Sequence, residues 1–302
     1  MNSSLSQVLT YLNKGEYYSP HSFDLNHDGE SWTLQRFGIK QFLQFKSFIY
    51  DKYGIYFSDA KCDTLRSKLN KLMIKNNYSS YDEYFSDLQR CKSPGLLSEF
   101  ANAITVNYTS FFRENDHFDF LKQYAGTLRG GKNIDLSNRE IRIWSAACST
   151  GEEAYTLAIV LSEALQGSAR IRLLATDISS KVLGIAQKGT YPSSIRNDVD
   201  SYYLNKYFRE DYKGFTVSES IKKLITFRSF NLMDTFPFKN TFDLIFCRNV
   251  MIYFDTAARQ KLIGKLYNAT SKSGLLIIGH SESLTGQNHN FRYVRPTVYI
   301  KD

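Results

Sequence analysis

EIRIWSAACSTGEEAYTLAIVLSEAL, residues 140–165, carries the pattern that decides the fold. Residues 140–146 read as a short apolar strand, residues 146–151 as a turn of small residues, and residues 152–165 as a helix. The alternation then repeats. IRLLATD (171–177) is a strand before a helix at 179–187, and FDLIFCRN (242–249) a strand before a helix at 256–267. GLLIIGHS (274–281) is a further strand, and FRYVRPTVYI (291–300) reads as a closing hairpin. Strands spaced by helices predict an α/β fold, a doubly wound and mostly parallel sheet covered on both faces.

Outward from this core the pattern changes twice. Between about 190 and 230 the alternation breaks into a polar helical stretch and GFTVSESIKKLITFRSF, expected to form a small insert of antiparallel strands. Upstream, Phe42, Phe45, Phe48 and Ile49, then Leu65, Leu69, Leu72 and Met73, then Tyr81, Tyr84, Phe85 and Leu88 recur at helical spacing. The expected division is an extension at 1–34, a helical domain at 35–120 and a catalytic domain at 121–302. In the extension, Asp24, Asn26, Asp28 and Gly29 copy half of a calcium loop, but Gln35 stands where a bidentate Glu is needed, so a polar turn is the better reading.

The chain has 302 residues, 42% hydrophobic and 15% aromatic, enough apolar surface for a folded core. No signal-peptide pattern opens it and no apolar run is long enough to span a bilayer, so a cytoplasmic protein without membrane insertion is expected. Its 4 cysteines form no Cys-x-x-Cys pair, which suggests neither disulfides nor a metal site. The net charge of +8 points to an anionic partner without choosing among nucleic acid, lipid and acidic protein. At about 100° per residue, Lys61, Lys68, Lys71 and Lys75 share one helix arc beside the apolar face, either a solvated face or a docking stripe.

In such a sheet, ligands lie beyond the carboxyl ends of the strands. The turn Ala146-Ala147-Cys148-Ser149-Thr150-Gly151 lets a ligand approach the backbone, while Glu152 and Glu153 at the helix start would repel a pyrophosphate. Asp177, at the end of the next strand, can accept ribose hydroxyls or cap the following helix. An adenosine ligand without phosphates, such as S-adenosylmethionine, satisfies both features.

The segments ITVNYTSFFRENDHF (104–118), WSAACSTGEEAYTLAI (144–159), ATDIS (175–179), FNL (230–232), FDLIFCRNVMIYFD (242–255) and GLLIIGHSESL (274–284) together resemble the chemotaxis receptor methyltransferases of the CheR type. FIYDKYGIYFSDAKCDTLRSKLNKLM (48–73) resembles that family's helical domain. The resemblance implies a class I S-adenosylmethionine-dependent, Rossmann-like enzyme that methylates glutamate carboxylates of chemotaxis receptors. It implies that Asn107, Thr109, Arg113, Glu153, Asp177, Asn231, Leu232, Arg248 and Asn249 contact the cofactor, with Arg113 also placed to meet the methionine carboxylate or the incoming substrate and Tyr253 near the transferred methyl. Lys61, Lys68, Lys71 and Lys75 correspond to the face that meets the receptor's cytoplasmic methylation helix, and the insert to one that docks a receptor peptide in some relatives. Its loop near 210–214 is short here.

A glutamate carboxylate is ionised at pH 7 and attacks without a general base, so His280 reads as structural. Two rivals are weighed. A nucleic-acid methyltransferase lacks support because Cys247-Arg248-Asn249-Val250 replaces the usual Asn/Asp-Pro-Pro-aromatic turn, and Cys247 reads as a packed strand-end thiol. A silent cofactor-binding adaptor conflicts with the full set of cofactor positions. A monomer is the default expectation.

Overall fold

The computed structural model describes residues 35–130 and 139–302. The calcium-loop-like segment and the rest of the extension lie outside the described residues. Contacts divide the chain into two units, one ending at Ile104 and one comprising Lys52–Ile55 and Thr105–Asp302. Residues 105–120, read from sequence as part of the helical domain, therefore belong with the catalytic unit.

The first unit contains α1 (Ile39–Tyr53), α2 (Cys62–Lys75), α3 (Tyr81–Gln89) and α4 (Pro94–Ile104). The helical-spacing residues are its core: Phe42, Phe45, Ile49, Leu65, Leu69, Met73, Tyr84 and Leu88 are all buried. Ser80 caps α3 by accepting from the Glu83 N–H at 3.4 Å, which ends the preceding loop.

The second unit opens with α5 (Asp116–Gly130), β1 (Glu140–Ala146), α6 (Glu152–Leu165), β2 (Arg170–Asp177) and α7 (Ser180–Lys188). After β3 (Thr190–Tyr191) come α8 (Ser201–Tyr207), β4 (Phe208–Asp211), β5 (Gly214–Val217), α9 (Glu219–Lys222) and β6 (Ile225–Ser229). β7 (Phe242–Cys247), α10 (Thr256–Ala269), β8 (Thr270–Ile278), β9 (Arg292–Arg295) and β10 (Val298–Ile300) complete it. The main sheet has 7 strands in the order β6-β2-β1-β7-β8-β10-β9. Its first five are parallel, and the β9–β10 hairpin pairs antiparallel with β8. The order reverses between β1 and β7, which is where such sheets open a ligand crevice.

Alternation along the strands sends side chains to two separate cores. Ile141 and Ile143 of β1 join α5 and α6 on one face, while Trp144 and Ala146 join α10 on the other. Trp144 anchors the second core, with ring centroids 5.0 Å from Phe236 and 4.9 Å from Phe238. Residues 154–161 of α6 are buried on every side, the mark of a helix enclosed within a domain.

The insert differs from the sequence expectation. β3, β5 and β4 do form a 3-stranded antiparallel sheet, but ITFRS (225–229) is β6, the parallel edge strand of the main sheet. A short antiparallel strand and a short parallel one carry the same residue pattern, so only the pairing partner separates them. Gly214 at the β4–β5 turn has φ +118°, and a Cβ there would lie 2.1 Å from the Tyr191 carbonyl oxygen.

Candidate active site

The β1–α6 turn is built from left-handed residues. Ala147, Ser149 and Gly151 have φ of 68°, 49° and 96°. Two of the three are not glycine, a backbone strain that surrounding contacts must hold. The Cys148 N–H donates to the Thr176 carbonyl at 2.9 Å and the Ser149 N–H to Asp177 Oδ2 at 2.9 Å, tying the turn to the end of β2. At Gly151 a Cβ would sit 2.8 Å from the Ala186 Cβ, so the helix start can approach α7 only with glycine there.

Asp177 is buried, and its other oxygen accepts from the Ser179 N–H at 2.9 Å. Burial pushes its carboxyl up while these backbone N–H groups pull it down, the first effect winning. The N-cap of α7 is Ser179, whose hydroxyl accepts from the Val182 N–H at 3.3 Å. The capping alternative for Asp177 is thereby removed.

Arg248, just after β7, is the centre of the charged cluster. Its side chain is 1% exposed and lies beside the stacked rings of Phe118 and Phe246, 5.5 and 5.6 Å from their centroids. Nη2 donates to Glu114 Oε2 at 3.1 Å and to the Arg113 carbonyl, and Nη1 is 3.4 Å from Glu153 Oε2. Glu153 also accepts from the Ser145 hydroxyl at 2.7 Å. Burial raises the Glu153 carboxyl above its ordinary value against the pull of Arg248. Burial would do the same to Glu114, but Arg248, the Asn249 amide and the His280 N–H outweigh it and hold that carboxyl low.

Glu114 and Glu282 organise the loops around Arg248. Glu114 accepts from Asn249 Nδ2 and the His280 N–H, each at 3.1 Å. Glu282 accepts from the N–H groups of Gly279 and Asn249 through one oxygen, at 2.7 and 2.9 Å, and of Met251 through the other at 2.7 Å. His117 is fully buried, and its Nε2 lies 2.6 Å from Thr297 Oγ1, which donates to the Pro296 carbonyl at 2.6 Å. Burial first, then Arg248, lowers the His117 pKa to about 4. Glu114, His117 and His280 bring ligand atoms within 4.8 Å of one another, but the cation facing Glu114 is the Arg248 guanidinium.

The remaining expected contacts lie on the loops. Arg113 Nη1 donates to the Tyr108 carbonyl at 3.0 Å and its guanidinium rests 5.2 Å over the Tyr108 ring. The Asn107 carbonyl accepts from the Ser149 hydroxyl at 3.0 Å, and Thr109 is half-buried nearby in sequence. Tyr253, in a short 3-10 turn after β7, has its hydroxyl pushed up by burial, with the Arg113 charge opposing. The Asn231 side chain is engaged by its own turn: Nδ2 donates to the Lys52 carbonyl at 2.7 Å and Oδ1 accepts from the Met233 N–H at 3.0 Å. Leu232 is buried, and its carbonyl accepts from Lys265.

The family scan matches residues 107–300 to the CheR methyltransferase SAM binding domain and residues 40–105 to the CheR methyltransferase all-alpha domain. A chemotaxis protein methyltransferase of Borreliella burgdorferi is 40% identical over 260 residues, 84% of this chain and 91% of that protein. The chain belongs to the CheR methyltransferase family. A probable chemotaxis protein methyltransferase of Rhizobium etli is 35% identical, covering 83% of this chain and 96% of its own length. Chemotaxis protein methyltransferase 2 of Pseudomonas aeruginosa is 34% identical, with 86% and 92% covered. The seven-stranded sheet is thus that of a class I S-adenosylmethionine-dependent methyltransferase, preceded by the CheR family's helical domain.

Within this CheR-family chain the lysine stripe is uneven. Lys61 and Lys71 are exposed, Lys68 is half-buried, and Lys75 pairs with Glu99 at 2.6 Å. Lys61 sits at the N-cap of α2, where a short 3-10 turn meets the helix, rather than within it. Burial first, then the charge of Lys61, lowers the Lys68 pKa. Sequence reasoning missed Glu114, Glu282 and His117. The first directly follows Arg113 in the quoted motif, and a charged residue abutting Phe111 and Phe112 is the signal that was available.

Proposed function

We propose that this chain transfers a methyl group from S-adenosylmethionine to glutamate carboxylates on the cytoplasmic helices of chemotaxis receptors, forming methyl esters. The observation that carries the reading is the pair of acids flanking one strained turn, Asp177 buried and Glu153 half-buried. Glu153 stands in the first turn of α6 and Asp177 at the end of β2, on either side of residues 147–151. A ligand with an ammonium group and a ribose, but no phosphate, suits that donor set. Glu114, Glu153 and Arg248 carry a summed charge of −1 when both acids are ionised, which an ammonium group balances.

On this reading Glu153 holds the ammonium group, Asp177 the ribose hydroxyls, Asn231 and Leu232 the adenine, and Asn107, Thr109, Arg248 and Asn249 line the cavity. The bound cofactor supplies an electrophilic methyl on a sulfonium, whose C–S electron pair returns to sulfur as a carboxylate oxygen bonds the carbon. No base is needed, because a glutamate of ordinary pKa, about 4.3, is ionised at pH 7. Catalysis rests on alignment and exclusion of water. Arg113, held over Tyr108, meets the incoming carboxylate, and Tyr253 orients it with a neutral hydroxyl that does not over-stabilise the charged ground state.

The lysines Lys61, Lys68, Lys71 and Lys75 attract the methylation helix of the receptor. Receptor helices rather than nucleic acid are the partners, and the cytoplasm is the compartment. Among the described residues no helix is long and apolar enough to cross a membrane. The test is transfer of labelled methyl to receptor-bearing membranes followed by mild alkali. Release of volatile methanol supports the ester, whereas alkali-stable label rejects it.

A further inference from the structure

We infer that Glu114 is a positioning residue for cofactor binding: by competing for Arg248 it leaves Glu153 with uncompensated negative charge, available to the cofactor's ammonium group. This rests on the reading of Glu153 as the ammonium contact.

The two carboxylates share one guanidinium unequally. Arg248 hydrogen-bonds Glu114 through Nη2 at 3.1 Å, whereas Nη1 approaches Glu153 only to 3.4 Å. Glu114 is further satisfied by the Asn249 amide and the His280 N–H. Among the described residues Glu153 is further bonded by the Ser145 hydroxyl. The carboxyls respond accordingly, Glu114 held low and Glu153 pushed up by burial. Glu114 thus takes most of the positive charge.

Two features make this an effect of charge rather than of movement. The guanidinium is packed against the stacked Phe118 and Phe246 rings and its side chain is 1% exposed, so it has little room to swing. Its Nε is buried with no hydrogen-bond partner among the described residues, so Arg248 sits where the two acids and the Arg113 carbonyl hold it, not where its own donors are all used. His117 adds no positive charge at neutral pH, since burial lowers its pKa to about 4. Removing the charge of Glu114 leaves the whole charge of Arg248 to Glu153, with the guanidinium in place. A low dielectric keeps that redistribution strong over a few ångströms.

The test measures binding of S-adenosylhomocysteine and of 5′-methylthioadenosine, which keeps the adenosine and lacks the amino-acid end. Calorimetry would be run on the full chain and on the variants Glu114→Gln, Glu114→Asp and Glu153→Gln. Glu114→Gln is expected to weaken S-adenosylhomocysteine about tenfold while 5′-methylthioadenosine stays within about twofold. Glu114→Asp, which restores the charge, is expected to recover part of the loss. Wild-type affinity of Glu114→Gln for S-adenosylhomocysteine, with Glu153→Gln weakened, overturns the inference while leaving the Glu153 reading intact. Equal loss of both ligands makes Glu114 a structural prop and also overturns it. If Glu153→Gln binds S-adenosylhomocysteine as the wild type does, the underlying reading itself fails.

Discussion

The two units handle charge in opposite ways. In the helical unit, Lys61 and Lys71 stand in solvent, and Lys75 meets Glu99 in a pair whose lysine is 63% exposed. In the catalytic unit, Arg248, Glu282 and Asp177 lie at the carboxyl ends of the strands, removed from water, and with the half-buried Glu153 they are held by fixed partners. Exposed charges are screened and contribute little to stability, yet they act at a distance on an approaching partner. Buried ones cost several kcal/mol to desolvate and persist only where partners are already in place. The first arrangement suits capture of a large acidic surface. The second suits recognition of a small charged ligand.

The contrast is sharpest at Arg248. Arg248→Met should cost about 3–5 kcal/mol, because Glu114 and Glu153 are left buried with no guanidinium between them. Denaturant unfolding measures it, and a loss under about 1 kcal/mol would show that the cluster is less dry than its geometry implies. Gly151→Ala should cost roughly 1–3 kcal/mol, since φ is 96° and the new Cβ would press to 2.8 Å on Ala186. Cofactor affinity should fall in parallel, because the same turn carries Asp177's partner Ser149.

His117 predicts a pH dependence. Unfolded, the ring takes a proton near pH 6.5; folded, only near 4. Protons bound between those values favour the unfolded chain, so stability from this group falls as pH drops through that window, by about 3 kcal/mol. His117→Asn should flatten this part of the stability–pH curve, and an unchanged slope would refute the assignment. The smallest effect on folding belongs to the other region. Lys68→Ala with Lys71→Ala should leave the unfolding midpoint unmoved, yet slow receptor methylation and reduce the dependence of that rate on salt. Equal rates in low and high salt for the wild type would remove the stripe from receptor capture.

The strands at 140–146, 171–177 and 242–247 were legible because each is a short apolar run followed by small or polar turn residues. β6 was misread as part of the insert, because residues 225–229 carry the same short pattern whichever sheet they join. The boundary at Ile104 rather than 120 was hidden for a related reason. Residues 116–130 are helical like those before them, and only their packing against α6 and the sheet assigns them to the catalytic unit. In the site, Glu153, Asp177 and Arg248 were named from motifs. Asn231 was named too, although its amide is spent on the Lys52 carbonyl and its own turn, a contact across 179 residues that no local pattern announces.

By itself the sequence determined which residues could form strands and helices, since hydrophobic period and turn chemistry are local properties. It also determined the family, through motifs in fixed order from residue 104 to 284. Tertiary structure alone decided which charges face one another. Glu114, Glu153 and Arg248 are distant in the chain, and their protonation depends on burial and on separations of a few ångströms. Those distances exist only once the sheet has brought the ends of β1, β7 and β8 together.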